Sequence, residues 1–143
     1  MDTQPYGDDG NAESTATPAA PGVVATVVVH GASPDLGECL TSLAAQDYPH
    51  LQILILVTDY DDSDVARVSA VVEGSGVDAH VRSVPGNPGF GVAANSVLDL
   101  VQGDSGFFLF VHDDVALDPS AIRLLVEELY RSNAGIVGPK IVE

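Results

Sequence analysis

The sequence predicts an α/β fold in which helices cover both faces of a mostly parallel sheet. Short, continuous apolar runs alternate about four times with segments of helical periodicity, which is the pattern of an α/β sandwich. The runs consist largely of β-branched and aromatic residues, as is typical of strands that are covered on both faces. Each run is also followed by polar residues, so the polar clusters are predicted to meet at the carboxyl ends of the strands, which we call the rim.

The first 22 residues are predicted to form a disordered acidic leader, and the folded part is predicted to span residues 23–143. The leader contains acids but no base, and it lacks Leu, Ile, Val and Phe. Such a segment cannot bury enough apolar surface to offset the entropy lost on ordering. At 143 residues, the whole chain corresponds to about one domain.

The first strand and the first helix are predicted from residues 23–44. The strand is the continuous β-branched run "VVATVVV" at 23–29. Ser33-Pro34-Asp35 then supplies an N-cap candidate, a proline at the first helical position and an acid in the first turn. Cys39 falls on the apolar face of this helix and is predicted to be a small core residue. That face also contains Leu36, Leu40, Leu43 and Ala44.

A second helix is predicted to connect the next two strands. The second strand is "LQILILV" at 51–57, and the third is the shorter, more polar "AHVRSV" at 79–84. Asp62 or Ser63 is predicted to cap the helix between them, and the glycines of 74–76 are predicted to end it.

The last part of the chain is predicted to add two helices and two strands. One helix is expected from about Val92 to Gln102, followed by a strand at 107–111. Asp118-Pro119 is predicted to open the other helix, which ends near 133–135. The run "GIVGPKIV" at 135–142 is predicted to be a final strand.

The composition limits the partners that the chain can bind. It has 21 acidic and 5 basic residues, a formal net charge of −16, which argues against nucleic-acid binding and against a polybasic membrane patch. An acidic chain that binds a phosphorylated ligand needs a divalent cation or helix N-termini to offset the repulsion. No apolar run approaches the ~20 residues that span a bilayer, and no secretory signal is visible, so a cytoplasmic location is expected. The lone cysteine excludes an internal disulfide and a cysteine zinc cage.

The fourth strand is followed by His112, Asp113 and Asp114, which are candidate metal ligands. In an extended chain, His112 and Asp114 are predicted to point to one side and Asp113 to the other. An imidazole and a carboxylate suit Mn2+ or Mg2+ and leave positions open for oxygens of a diphosphate. A solvated turn followed by an Asp118 N-cap explains the same residues equally well.

The other polar clusters each have a binding and a structural interpretation. The segment "VPGNPGFGVAAN" at 84–95 allows close backbone approach to a ligand, with Asn95 facing the crevice, or it is an ordinary glycine-rich connection. Its spacing fits neither a dinucleotide-binding motif nor a P-loop. The acids of "TDYDDSD" at 58–64 either accept hydrogen bonds from a ring N–H or from ribose hydroxyls, or they cap the next helix. The segment lacks the glycine of a calcium loop, which excludes an EF-hand. His30 is either a structural residue or part of the rim site.

Taken together, residues 23–143 resemble the nucleotide-binding half of a family 2 glycosyltransferase with the GT-A fold. The resemblance is carried by "LGECLTSLAAQDYPHLQILILVTD" and by "GNPGFGVAANSVLDLVQGDSGFFLFVHDDVALDPSAI". These segments are similar to the family's C-L-x-S-L, Q-x-Y-P, N-x-G-F-x-x-x-x-N and D-x-D-type motifs in order and spacing. The Asn-Pro-Gly-Phe-Gly form is similar to the branch of bacterial rhamnosyl- and galactofuranosyl-transferases.

The resemblance implies roles for individual residues. Asp114 occupies the last position of the D-x-D-type motif and is the implied Mn2+ or Mg2+ ligand, while His112 replaces the first carboxylate of that motif. The implied contacts to the nucleotide are made by His30, Asp59 or Asp61, Asn87, Gly89, Asn95 and Asp113.

The resemblance also implies a reaction and its partners. The chain is expected to be the donor-binding fragment of a metal-assisted, inverting transferase that moves a sugar from a nucleoside diphosphate to a glycan or lipid-linked acceptor of the cell envelope. The general base is expected beyond Glu143, so the fragment alone is expected to be inactive in transfer. Any membrane contact is expected through parts outside this chain.

Two alternatives remain at this stage. One is a non-catalytic module that binds a nucleotide sugar without transferring it. The other is a phosphoacceptor receiver domain, which is disfavoured because His30-Gly31 stands where such a domain has an acidic pair.

Overall fold

The computed structural model describes residues 19–31, 33–103 and 106–142. The predicted leader at 1–22 lies mostly outside these ranges; of its last residues, Gly22 already belongs to the first strand. The hydroxyl of Tyr48 donates a hydrogen bond of 2.6 Å to the carbonyl of Pro21. The elements are β1 (Gly22–His30), α1 (Leu36–Ala44), β2 (Leu51–Thr58), α2 (Asp62–Ser75), β3 (Ala79–Val84), α3 (Phe90–Asn95), α4 (Val97–Leu100), β4 (Gly106–His112) and α5 (Ala121–Ser132).

The four strands form one parallel sheet with the order β3-β2-β1-β4. The chain moves outward from β1 through β2 to β3 and then crosses back to place β4 on the other side of β1. The predicted α/β fold with a mostly parallel sheet is therefore confirmed. Its ligand crevice is expected where the winding direction reverses, beyond the carboxyl ends of β1 and β4.

Helices cover both faces of the sheet. The larger core packs α1, α2 and α5 against one face, with the side chains of Val27, Leu40 and Ile55 fully buried. On the opposite face, the smaller core packs α3 and α4 against β1 and β2. Cys39 lies in the larger core, as predicted, whereas Ala44 is exposed because it is the last residue of α1.

Helix boundaries differ from the predicted ones because local hydrogen bonds compete with the helix. The helix expected from Val92 to Gln102 instead begins at Phe90, is interrupted at Ser96 and ends at Leu100. The Ser96 hydroxyl donates to the Ala93 carbonyl at 2.6 Å, a local bond that is typical of such interruptions. Asp118 forms a turn by accepting hydrogen bonds from Ser120, so α5 begins only at Ala121.

The strand predicted at 135–142 is absent from the structure. Residues 135–142 are mostly exposed and form no regular element. Asn133 ends α5 in the left-handed conformation (φ 52°), and Pro139 has no N–H to donate to a neighbouring strand. Within the described residues β4 is thus an edge strand, with Phe108 and Phe110 partly exposed on the face that carries α3.

Among the described residues, no helix is long and apolar enough to cross a bilayer.

Candidate nucleotide-binding site

The predicted polar clusters come together at the rim of the sheet. The four strands run parallel, and they end at His30, Thr58, Val84 and His112. The register aligns His30 with Thr58 across β1 and β2, and Thr58 with Val84 across β2 and β3. The carboxyl ends of the three strands are therefore level, and the loops that follow them are neighbours.

His30 and Asp59 form a pair across the ends of β1 and β2. The Nε2 atom of His30 lies 3.3 Å from Oδ2 of Asp59, and both side chains are more than half exposed. The Nδ1 atom of the same ring lies 3.4 Å from the hydroxyl of Thr58. The pair is an ion pair when the imidazole is protonated.

The backbone of Asp59 joins β2 to the loop after β3. Its amide donates a hydrogen bond of 2.7 Å to the carbonyl of Gly86. Asp59 has φ 46° and Gly86 has φ 71°, so both residues adopt the left-handed conformation. This conformation is uncommon for a residue with a Cβ atom, although aspartate tolerates it better than most. The tight turn directs the Asp59 carboxylate back toward β1.

Asp61 has a different environment, because its carboxylate caps α2. Its Oδ1 accepts hydrogen bonds from the amides of Ser63 and Asp64 and from the Ser63 hydroxyl. These bonds hold the pKa of the Asp61 carboxyl below its usual value, the Ser63 hydroxyl contributing most. The N-cap of α2 is therefore Asp61 and not Asp62 or Ser63. Of the two predicted nucleotide ligands, Asp59 and Asp61, only Asp59 has a carboxylate that does not cap a helix.

The glycine-rich loop after β3 carries the candidates Asn87, Gly89 and Asn95. The Asn87 side chain accepts a long hydrogen bond, 3.4 Å, from the amide of Gly89. Gly89 has φ 83° and precedes Phe90, where α3 begins. Asn95 is exposed at the last position of α3. An added Cβ at Gly89 would have no neighbour within 4 Å, so its backbone is open to close approach.

His112 stacks on Phe90 and is separated from Asp114. The two rings are 4.3 Å apart between centroids and inclined by 17°. Phe90 packs against the smaller core, so the His112 ring lies on the face of the sheet that carries α3.

Asp114 lies toward the other face of the sheet, which carries α1. It lines a cleft of about 110 Å³ together with Asp35, Glu38 and Cys39. The prediction that His112 and Asp114 share one side is wrong, because β4 ends at His112 and the chain turns at Asp113.

The acids after β4 lie near Cys39. Burial raises the pKa of its thiol to about 11, with a further contribution from the charge of Asp113. Asp113 is half-buried and Asp114 is exposed. Neither carboxylate has a hydrogen-bonding or ion-pair partner among the residues that the structure describes.

The described residues supply only part of a metal site. No group of three or more His, Cys, Asp or Glu side chains in the described ranges is arranged to hold an ion. The exposed carboxylate of Asp114 fits a cation that takes most of its ligands from elsewhere, such as the oxygens of a bound diphosphate. The His112 ring, stacked on Phe90, does not share that position.

The sequence profile described as Glycosyl transferase family 2 matches residues 25–143. The chain belongs to this family. A search of curated proteins found no match.

Solved glycosyltransferase structures show the same fold as this family 2 chain. A mannosyltransferase from Pyrobaculum calidifontis, in complex with GDP-Man and Mn2+, superposes with a TM-score of 0.60 at 20% identity over 73% of this chain. S. aureus TarS 1-349, in complex with UDP-GlcNAc, gives a TM-score of 0.63 at 17% identity over 85% of this chain. The family 2 chain covers only 30% and 37% of those two proteins.

Two contributors to the glycosyltransferase rim were missed by sequence reasoning. One is the side chain of Thr58, and its signal in the sequence is a polar residue that ends the buried run of β2. The other is the ring of Phe90, which belongs to a sequence motif and also packs on the ring of His112. That stack depends on the distance between α3 and β4, which the sequence does not specify.

Proposed function

We propose that this chain binds the nucleoside-diphosphate sugar donor of a family 2 glycosyltransferase, which passes the sugar to a glycan or lipid-linked acceptor of the cell envelope. The observation that carries the proposal is the rim itself: Asp59 and Asp114 present exposed carboxylates at the ends of β2 and β4, in loops where open α/β sheets bind ligands. Structural relatives in complex with GDP-Man and with UDP-GlcNAc support a nucleotide sugar as the ligand.

The nucleoside end of the donor would be recognised by the loops after β2 and β3. The carboxylate of Asp59 would accept hydrogen bonds from a ring N–H or from ribose hydroxyls. Asn87 and Gly89 would approach the base and the diphosphate from the neighbouring loop, with Asn95 one turn further along. Asp113 would lie near the sugar or the ribose.

The diphosphate end would lie near Asp114. The chain has a net charge of −16, and a dianionic ligand next to exposed carboxylates favours a compensating cation. Asp114 would hold Mn2+ or Mg2+ there, and the ion would offset the charge that develops on the departing nucleoside diphosphate. We propose Asp114 alone for this role, since His112 is stacked on Phe90 on the other face.

Calorimetric titration tests the role of Asp114. Wild-type protein is titrated with UDP-GlcNAc and with GDP-mannose, each with and without Mn2+. Asp114→Ala should abolish the binding that depends on Mn2+, because the variant loses the exposed carboxylate that directly follows β4 and has no hydrogen-bonding partner among the described residues. Asp35→Ala is the matched control, as it removes a carboxylate that lines the same cleft from the start of α1. Unchanged binding by Asp114→Ala, or an equal loss in Asp35→Ala, would contradict the assignment.

The inverting chemistry, the rhamnosyl- or galactofuranosyl-transferase branch and the cytoplasmic location are parts of the same proposal. Turnover of the donor with a glycan acceptor, measured on a longer protein that contains this chain, would test the chemistry. It would also separate a transferase from a module that only binds the nucleotide sugar.

A further inference from the structure

We infer that His30 is a positioning residue, which acts on the nucleotide through Asp59 and not by touching the ligand. The inference rests on the proposed function, because it assumes that the Asp59 carboxylate receives the nucleoside.

The imidazole of His30 connects a fixed anchor to an exposed carboxylate. The anchor is Thr58, which is only 3% exposed and whose hydroxyl donates to the carbonyl of Val29 at 3.3 Å. Since the hydroxyl proton is used in that bond, the oxygen can accept from Nδ1 of His30, 3.4 Å away, when the ring is doubly protonated, the state in which Nε2 donates as well. The opposite nitrogen, Nε2, then lies 3.3 Å from Oδ2 of Asp59. The Nδ1 edge of the ring is thus fixed by Thr58 of β2, and the Nε2 edge orients the carboxylate of Asp59.

Both ring nitrogens of His30 face protein atoms. A histidine that forms a hydrogen bond to a ligand needs one nitrogen free for that ligand. Here Nδ1 lies against Thr58 and Nε2 against Asp59, so a role for His30 in direct recognition would require breaking one of these contacts. The geometry therefore favours an indirect role.

Asp59 needs such support because its own backbone is in an uncommon conformation. Its φ of 46° is held on one side by the hydrogen bond from its amide to the Gly86 carbonyl. The contact of Oδ2 with His30 fixes the other end of the residue. The second oxygen, Oδ1, has no hydrogen-bond partner among the described residues and remains an acceptor for a base N–H or a ribose hydroxyl.

A charged side chain close to the end of β1, Asp64, is already engaged. The Oδ1 atom of Asp64, in α2, would lie 4.0 Å from a Cβ added at Gly31. Its carboxylate accepts from the Asp61 amide and is paired with Arg67 at 3.5 Å. The contact between His30 and Asp59 is therefore the one that orients the carboxylate at this end of β2.

Two conservative variants distinguish the two nitrogens of His30. The amide nitrogen of glutamine occupies the place of Nε2, so His30→Gln retains a donor toward Asp59. The amide nitrogen of asparagine occupies the place of Nδ1, so His30→Asn retains only a donor toward Thr58. A merely structural role would be served equally well by both.

The experiment measures Kd by calorimetry for whichever of UDP, GDP and dTDP binds wild-type protein most tightly in the presence of Mn2+. His30→Ala and His30→Asn should each weaken binding about 3- to 30-fold, which corresponds to the coupling found between residues in contact. His30→Gln should restore the affinity to within about twofold of wild type. Thermal unfolding of each variant checks that the domain is folded.

A double-mutant cycle with Asp59→Asn completes the test. Asparagine tolerates the left-handed conformation, so this variant changes the carboxylate with little effect on the backbone. In the Asp59→Asn background, His30→Ala should change the Kd by less than about twofold, because the group through which His30 acts has been altered.

The outcomes separate this inference from the proposed function. If wild-type protein binds none of UDP, GDP and dTDP, the proposed function itself is wrong. Three results with wild-type protein that does bind would overturn the positioning role alone. The first is that His30→Ala leaves the Kd unchanged, and the second is that His30→Asn binds the nucleotide as tightly as His30→Gln. The third is that the losses of binding free energy from His30→Ala and Asp59→Asn are additive in the double variant.

Discussion

Thr26 carries a buried hydroxyl whose removal should stabilise the protein. The residue lies in the middle of β1, is 0% exposed, and is aligned with Leu54 of β2 and Phe110 of β4. Its Oγ1 has no hydrogen-bond partner among the described residues. Because an unpaired polar atom in a core loses its water without gaining a bond, the hydroxyl should destabilise the folded state.

The size of the effect follows from replacing the hydroxyl by a methyl group of the same shape. An unsatisfied buried group costs about 1–3 kcal/mol, and the added methyl is buried against Leu54. Valine also suits the centre of a strand at least as well as threonine. We therefore expect Thr26→Val to raise the free energy of unfolding by about 1–2 kcal/mol, which corresponds to an increase in Tm of about 3–10 °C.

Thr58→Val is the matched control, since it makes the same change at another buried threonine. Thr58 is 3% exposed, but its hydroxyl donates to the Val29 carbonyl and contacts His30. Loss of these bonds should lower the free energy of unfolding by about 1 kcal/mol. Urea titration gives the free energy of unfolding of both variants, and their m-values should equal that of wild type. If Thr26→Val lowers stability, or if both variants shift the midpoint in the same direction, the reasoning from hydrogen-bond satisfaction is refuted.

Two further predictions concern side chains with shifted pKa values. Because burial raises the pKa of the Cys39 thiol to about 11, native protein at pH 8 should react with a thiol reagent far more slowly than protein unfolded in urea; equal rates would contradict the buried position. Asp61→Ala should lower the Tm at pH 7, because it removes the cap of α2. The pKa of the Asp61 carboxyl is lowered from its ordinary 3.8, chiefly by the Ser63 hydroxyl, so the stabilisation is present above that value and is lost as the pH falls below it. The Tm difference between wild type and Asp61→Ala should therefore shrink from pH 7 to pH 3, and a constant difference would contradict this origin.

The fold could be predicted because β1 and β2 are continuous apolar runs. Such runs have no polar side to expose, which requires cover on both faces and hence a parallel sheet between helices. The helix starts were harder to predict, since Asp61, Asp62 and Ser63 are all good caps. The extended backbone of Asp61 (ψ 175°) determines which of them is used.

The strand predicted at 135–142 shows where an apolar pattern is insufficient. Ile136, Ile141 and Val142 have the composition of a strand but are 78–91% exposed. A strand forms only with a partner whose N–H and C=O groups it can pair, and Pro139 lacks the N–H. The sequence contains the apolar residues but does not specify the partner.

For the candidate site, the positions could be predicted but the pairings could not. The ends of the strands follow from the lengths of the apolar runs, which placed His30, Asp59 and Asp114 at the rim. The contact of His30 with Asp59 depends on the register of β1 and β2 and on the left-handed turn. The separation of His112 from Asp114 depends on the turn that replaces the extended chain at Asp113. Both are properties of the assembled sheet.

The distribution of basic residues supports the dependence on a divalent cation more strongly than the motif around His112 does. The 5 basic residues are Arg67, Arg82, Arg123, Arg131 and Lys140, and none belongs to a rim cluster. Three of the arginines are already paired with carboxylates on helices or loops away from β4. In proteins that bind diphosphates without a metal, arginine or lysine usually supplies the compensating charge. Here the rim offers carboxylates and imidazoles, so we propose that a divalent cation offsets the charge of the ligand. The Asp114→Ala titration tests this requirement directly, whatever the role of His112.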